Sequence, residues 1–432
     1  MAAVLNDLQL LDLEEERLCL QLLRRRRKRK RCNRQQLVRP LTTTKTRREQ
    51  QRRPGVVEAT HFQYFKMSAS SFCDLMDRIS PYMRWMRQST VMDLSGKLDV
   101  TLRVLASGHS LGSFAKSFKL STPTVARFVS QICRAIWLAL KDQFVRFPDG
   151  PQRWKDVAGD FWRTWNFPNC LGCIAGKHIE VRQHGRFSED CRDYNGTFSM
   201  VVMAACDANY RFTMVDVGAF GQQSVEGVFR ESKFGANLLE GKLDLPPPDA
   251  LPGTATSSPF VFVGNAAFPM CVNLISPYPG SDLTQDEQVY NYRHSRARNA
   301  AENAFGILSA RWRILSQRLS CSPQMAVDIL KACVALHNFL SYADAACTAE
   351  ARYLTPGFAD DVTASGWVRQ GKWRRLVAGD RSLLDPGRPS GSGASAAARA
   401  VRNNFKDFFV SCGPRSLAGR CRFKRKNQLK PN

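Results

Sequence analysis

Arg24, Arg25, Arg26, Arg27, Lys28, Arg29, Lys30 and Arg31 form an unbroken run of eight basic residues, and no packed domain can be built through it. Like charges at that density repel one another and cannot be desolvated together, so the run stays in water and separates the residues before it from those after it. From residue 24 to residue 53 there are 15 basic residues and one acid, Glu49. That stretch supplies 14 of the 25 net positive charges of a 432-residue chain with 63 Lys and Arg against 38 Asp and Glu. The excess points to a polyanion, either nucleic acid or an anionic surface. Two observations count against a membrane: no apolar run reaches 18 residues, and Glu14, Glu15 and Glu16 stand where the apolar part of a secretion signal would have to be. The expected partner is therefore DNA, with no membrane, and the basic block predicts a nuclear address. The bland alternative is a solvated tail.

Composition divides the chain further. Residues 1–55 form a basic, leucine-rich tail, with Leu5, Leu8, Leu11, Leu18 and Leu22 at roughly helical spacing. Residues 56–150 read as helical, 151–342 as α/β, 343–400 as a flexible Ala-, Gly-, Ser- and Pro-rich connection, and 401–432 as a second basic tail. Fourteen cysteines lie at irregular spacings, as in a reduced intracellular chain. Cys170 and Cys173 have CxxC spacing without a second pair, which favours two small apolar strand residues over a zinc site.

In the helical part, Leu111, Phe114, Ala115 and Phe118 fall on one helical face. Lys119, Leu120 and Ser121 make a short turn, Thr122 is the expected N-cap, and Pro123 suits the first helical position. Val125, Phe128, Val129, Ile132 and Ile136 then repeat at helical spacing. This is a helix-turn-helix pattern whose outward Lys116, Lys119, Thr124 and Arg127 are candidate DNA contacts; an ordinary packed helix pair is the alternative. In the α/β part, residues 171–174 and 178–181 predict two short strands around Gly176. Residues 198–206 and 212–217 predict longer strands about a turn at 207–211, and 259–263 another. Helices are expected over 295–313 and 323–342.

Several stretches, in order, resemble the PIF/Harbinger transposases and their domesticated relatives, which carry a DDE superfamily endonuclease domain. They include Ile174-Ala175-Gly176-Lys177-His178, Gly227-Val228-Phe229-Arg230, Val263-Gly264-Asn265-Ala266-Ala267-Phe268-Pro269, Asn291-Tyr292-Arg293-His294, Glu302-Asn303-Ala304-Phe305-Gly306 and Leu336-His337-Asn338-Phe339. The resemblance implies an RNase H-like mixed sheet with flanking helices, preceded by the helix-turn-helix region. It also implies an acidic site for two divalent ions, Mg²⁺ or Mn²⁺, and a separate Myb-like DNA-binding partner protein. Two such ions clamp the attacking and leaving oxygens of an in-line phosphodiester displacement, and hard cations need carboxylate oxygens converging on them.

Against that pattern the chain departs at three places. The family's first aspartate position is Ala175, its second is Val225, and a third is Asn265; the late-helix glutamate remains as Glu302. Glu226 is the one nearby candidate substitute ligand, while Glu180 has the wrong strand parity. Lys177, beside the first position, is a candidate phosphate contact. His178, His294 and His337 form no ligand set by spacing and are expected to be structural. These departures predict no bound cofactor and a catalytically silent, DNA-binding nuclear protein. The alternatives are an active metal-dependent nuclease or transposase with relocated ligands, and a decaying transposon copy.

Overall fold

The computed structural model describes residues 61–83, 92–182, 197–347, 352–362, 368–380, 383 and 393–412. The basic block at 24–31, the 1–55 tail and the last basic cluster lie outside the described residues. Helices α1 (Ala69–Met83), α2 (Leu94–Ser107), α3 (Leu111–Ser117), α4 (Thr122–Phe144) and α5 (Gly150–Trp165) come first. The apolar repeat on α4 does what its spacing predicts: Val125, Phe128, Val129, Ile132 and Ile136 are all buried. Its cap is Ser121 and not Thr122; the Ser121 hydroxyl accepts the Thr124 N–H, leaving Thr122 and Pro123 as the first helical residues.

Next come β1 (Cys170–Glu180), β2 (Ser199–Cys206) and β3 (Phe212–Phe220), then α6 (Val225–Glu231) and α7 (Lys233–Leu239). The two-residue strands β4 (Asp249–Ala250) and β5 (Ser257–Ser258) form a small ladder before β6 (Val261–Val263) and β7 (Leu274–Ile275). The main sheet has the order β3-β2-β1-β6-β7, with β2 alone running against the others. This is the RNase H-like mixed sheet that the sequence leads one to expect. The turn between β2 and β3 is built by Asp207, whose Oδ1 accepts the N–H groups of Asn209 and Arg211, each at 2.8 Å.

Strand β1 is continuous, where the sequence predicts two pieces. Gly176 does not break it: it pairs with Met203 and lies under Val225, so close that a Cβ there would sit 2.9 Å from the valine Cγ1. The glycine provides a close approach, not a turn. Helices cover both faces of β1, so ten of its eleven residues are buried and the strand shows no polar face. Cys173, Ala175 and Ile179 join one core, with α8 (Gln285–Arg311) and α9 (Pro323–Ala343) on that side; Ile174 joins the other, with Val225, Phe229 and Phe234 of α6 and α7.

Two boundaries drawn from composition do not follow the packing. The helical region is not a separate domain from the sheet. On α4, Ser130 and Arg134 both bond Asp328 of α9. Asn338 of α9 ties the two regions together, donating to the carbonyls of Phe144 and Phe212 and accepting the Phe212 N–H. Nor are the described residues of 343–400 a free connection. Tyr353, Phe358 and Trp373 are buried, strands β8 (Asp361–Val362) and β9 (Val368–Arg369) pair with each other, and helix α10 (Lys372–Leu376) docks on α8 through Trp373. Helix α11 (Ala396–Cys412) begins inside the expected connection and runs into the expected tail. Its Phe405 and Phe409 rings pack 5.4 and 5.1 Å from Phe167. Aromatic burial on this scale outweighs the local composition.

Candidate active site

The site lies at the carboxyl ends of the parallel pair β1 and β6. Cys173 is level with Val263 across that pair, the last paired position; Ala175 lies two residues further along β1, and Asn265 two residues past the end of β6. Gly264 faces Phe268 and Leu274. Helix α8 crosses the Ala175 face of β1. The Cys173 thiol donates to the Ala297 carbonyl at its near end, and Lys177 Nζ reaches Glu302 Oε2 at 3.0 Å five residues later. Ala175 therefore lies between these two contacts, on the face that α8 covers. Three of the four positions implied by the resemblance lie around the carboxyl end of this pair.

The fourth does not. Val225 packs on Gly176, in the core on the other side of β1, as the first residue of α6. Successive residues of a strand point to opposite faces, so a side chain over Gly176 is separated by the sheet from one beside Ala175. Glu226, the candidate substitute, has its Oε1 held by both the Nε and the Nη2 of Arg230 one turn along α6, each at 3.1 Å. Glu180 pairs with Arg318 at 3.5 Å, away from the site.

Both oxygens of Glu302 are engaged. Oε2 accepts from Lys177 and Oε1 from Arg298 Nη1 at 2.6 Å. Burial pushes the Glu302 carboxyl up, and the Lys177 and Arg298 charges more than offset this, holding it below the usual glutamate value. Lys177 itself is 4% exposed and lies 6.0 Å over the Phe305 ring. It is turned into the protein, so the structure does not place it as the phosphate contact that its position beside Ala175 suggests. Asn265 uses its side-chain oxygen to accept the Ala267 N–H at 3.1 Å, closing a local turn. A methyl group, an occupied amide oxygen and a carboxylate already paired with two cations do not fit a centre for two divalent ions, which needs several converging anionic oxygens. Among the described residues no group of three or more His, Cys, Asp or Glu could hold a metal ion.

Lys116, Lys119 and Arg127, the candidate DNA contacts, are exposed on α3, the following turn and α4. Thr124 is half-buried and its hydroxyl is 2.8 Å from that of Ser121, so it serves the cap rather than pointing outward. Cys170 and Cys173 are buried strand residues, and burial pushes the Cys173 thiol well up. His178 Nδ1 lies 3.0 Å from the Ser199 hydroxyl, and His294 Nε2 lies 3.2 Å from the Ile275 carbonyl. His337 Nε2 donates to the Tyr210 carbonyl at 2.9 Å while Nδ1 accepts from the Tyr353 hydroxyl. All three rings are buried, each against a partner inside the protein.

Burial lowers His337 to about 4. The unfolded chain therefore binds a proton there below about 6.5 that the folded chain refuses, and stability falls as pH drops from 6.5 toward 4. Asp207, raised to about 6 by burial, acts in the opposite sense over an overlapping window. A comparison with His337→Gln isolates the histidine. The urea midpoint of the parent should fall more steeply between pH 6.5 and 4.5 than that of the variant, and parallel curves would refute the assignment.

Sequence reasoning also misses a set of residues on the Glu302 helix. Asn303 Oδ1 accepts from Trp373 Nε1 at 2.7 Å and from the Asp360 N–H at 2.8 Å, and Asn299 donates to Asp360. Asp360 in turn accepts from Arg374 through both oxygens. No local signal marks these residues, because their partners lie 57 to 75 positions away.

A mixed sheet in the order β3-β2-β1-β6-β7 with flanking helices is the RNase H-like fold. Residues 174–338 match the DDE superfamily endonuclease family, which supports the Harbinger-type resemblance read in the sequence. The chain is 27% identical over 258 residues to the ALP1-like protein of Arabidopsis thaliana, covering 58% of this chain and 61% of that one. It is 22% identical over 239 residues to the putative nuclease HARBI1 of Xenopus laevis, covering 53% and 64%. The chain thus spans less than two thirds of the length of these relatives. No solved structure matches it significantly.

Proposed function

We propose that this chain is a domesticated Harbinger-type protein that acts in the nucleus by binding DNA and does not cut it. The observation that carries the reading is the closure of Glu302: the one retained acid has both oxygens committed to basic side chains. Relocated ligands find no support, because Glu226 is tied to Arg230 and Val225 lies on the far face of the sheet. DNA binding is supported by charge. From residue 100 to residue 141 the chain contains no Asp or Glu, and Lys116, Lys119 and Arg127 are exposed there. A Myb-like partner protein is proposed on the resemblance alone.

The test is salt dependence of binding to a fluorescent duplex. The log of the association constant should fall steeply with log salt, with a slope of about 0.9 for each phosphate the protein neutralises. Replacing Lys116, Lys119 and Arg127 together by alanine should flatten the slope by about 3 if each meets a phosphate. An unchanged slope removes this surface from the interface. Deleting residues 1–35 from a fluorescent fusion should move it out of the nucleus; undiminished nuclear accumulation excludes the basic block as the address.

A further inference from the structure

We infer that Lys177 is the resident cation of this site: its ammonium holds the place and supplies the charge that a divalent ion would need beside Glu302, so the centre excludes divalent metal even when its missing acids are restored. The inference rests on the silent-site reading and extends it from missing ligands to an occupied centre.

Lys177 is two residues beyond Ala175 on β1 and therefore on the same face. Its side chain is 5% exposed, and it meets Glu302, 21% exposed, at 3.0 Å. An ammonium is buried this far only when paired, and here the pairing takes the Oε2 oxygen of Glu302. Arg298 takes the other oxygen at 2.6 Å. Among the described residues, two basic side chains thus hold the one carboxylate before any ion arrives. A divalent cation approaching it meets repulsion in a poorly solvated site, where charges are weakly screened. Without Lys177, Glu302 would keep only its Arg298 partner and one oxygen without a cation. A lysine beside the first-aspartate position supplies that cation: one fixed positive charge replaces an exchangeable one. Ala175 and Lys177 lie on this face of β1, and Val225, on the opposite face, is not part of the arrangement.

The test uses the full chain and Mn²⁺ as the probe, with free Mn²⁺ followed by electron paramagnetic resonance. Ala175→Asp with Asn265→Asp supplies two carboxylates while Lys177 remains. The same pair with Lys177→Met removes the resident charge at similar side-chain length, and Lys177→Ser serves in the same background if the methionine variant does not fold. The variant with both aspartates and no lysine should bind Mn²⁺ at least about 100-fold more tightly than the variant with both aspartates and the lysine. Binding should be lost on Glu302→Gln. Affinities within threefold of each other, with and without Lys177, overturn the inference and leave the silent-site reading standing. Mn²⁺ binding by the unaltered chain that disappears on Glu302→Gln overturns both.

Discussion

Trp373→Ala should lower the free energy of unfolding by about 3–5 kcal/mol, the usual range for deleting a large buried aromatic. The indole is 6% exposed. It lies against Gly306 of α8 so tightly that a Cβ on that glycine would fall 2.2 Å from its Cε3. It also donates to Asn303, and Arg374 stacks on it at 4.4 Å. Removing it opens a cavity against the helix that carries Glu302 and leaves an acceptor on Asn303 short of a donor. A second substitution isolates this packing. Gly306→Ala in the parent should destabilise, because the methyl group collides with the ring. In the Trp373→Ala background the same change should stabilise by roughly 1 kcal/mol, since the collision is gone and alanine is the better helix former. Denaturant midpoints of the four proteins decide it, and a Gly306→Ala effect of the same sign in both backgrounds would show that the indole does not seat on this glycine.

The seating of Trp373 on α8 also shows where the sequence stops being informative. The period-3.6 apolar face of α4, the Asp207 turn and the strands about it arise from local pattern, and they stand where the pattern puts them. Helix α8 begins ten residues before its expected start, because its first turns are polar and present no apolar stripe. The usable signal is Thr284 followed by Glu287, which form a reciprocal capping box. Helix α11 is hidden by composition, although Val401, Phe405, Phe408 and Phe409 repeat at helical spacing and are buried. Asp360 and Trp373 sit in a stretch that reads as a linker, and only a pairing with α8, distant in the chain, gives them a role. At the site, the motif positions 175, 265 and 302 are visible in sequence, and the parity that places Lys177 beside Ala175 is visible too. What parity cannot show is that the crossing helix brings Glu302 to the lysine, or that Val225 lands behind the sheet. Those are facts of topology, set by which strands and helices neighbour one another.

Purified full-length chain should leave supercoiled plasmid intact in Mn²⁺, at a rate no greater than that of its Glu302→Ala variant. In-line phosphodiester cleavage develops negative charge on the phosphate and on the leaving oxygen, and in two-metal sites the ions are its main stabilisers. Here the positions that would hold them offer the Ala175 methyl group, an Asn265 oxygen already accepting the Ala267 N–H, and a Glu302 carboxylate bound by Lys177 and Arg298. Lys177 cannot replace the ions in catalysis. Its ammonium is neutralised by Glu302 and buried beneath α8, so it offers the developing charge neither two-sided coordination nor an activated water. Nicking that vanishes with Glu302→Ala would mean that the carboxylate leaves its two partners when DNA binds, and that the closed arrangement is a resting state. Nicking abolished instead by Glu226→Ala would put the catalytic acid on α6 and require Arg230 to release it. Uncut plasmid, together with retained DNA binding, is the outcome expected of a scaffold that keeps the mixed sheet and holds Glu302 between two basic side chains.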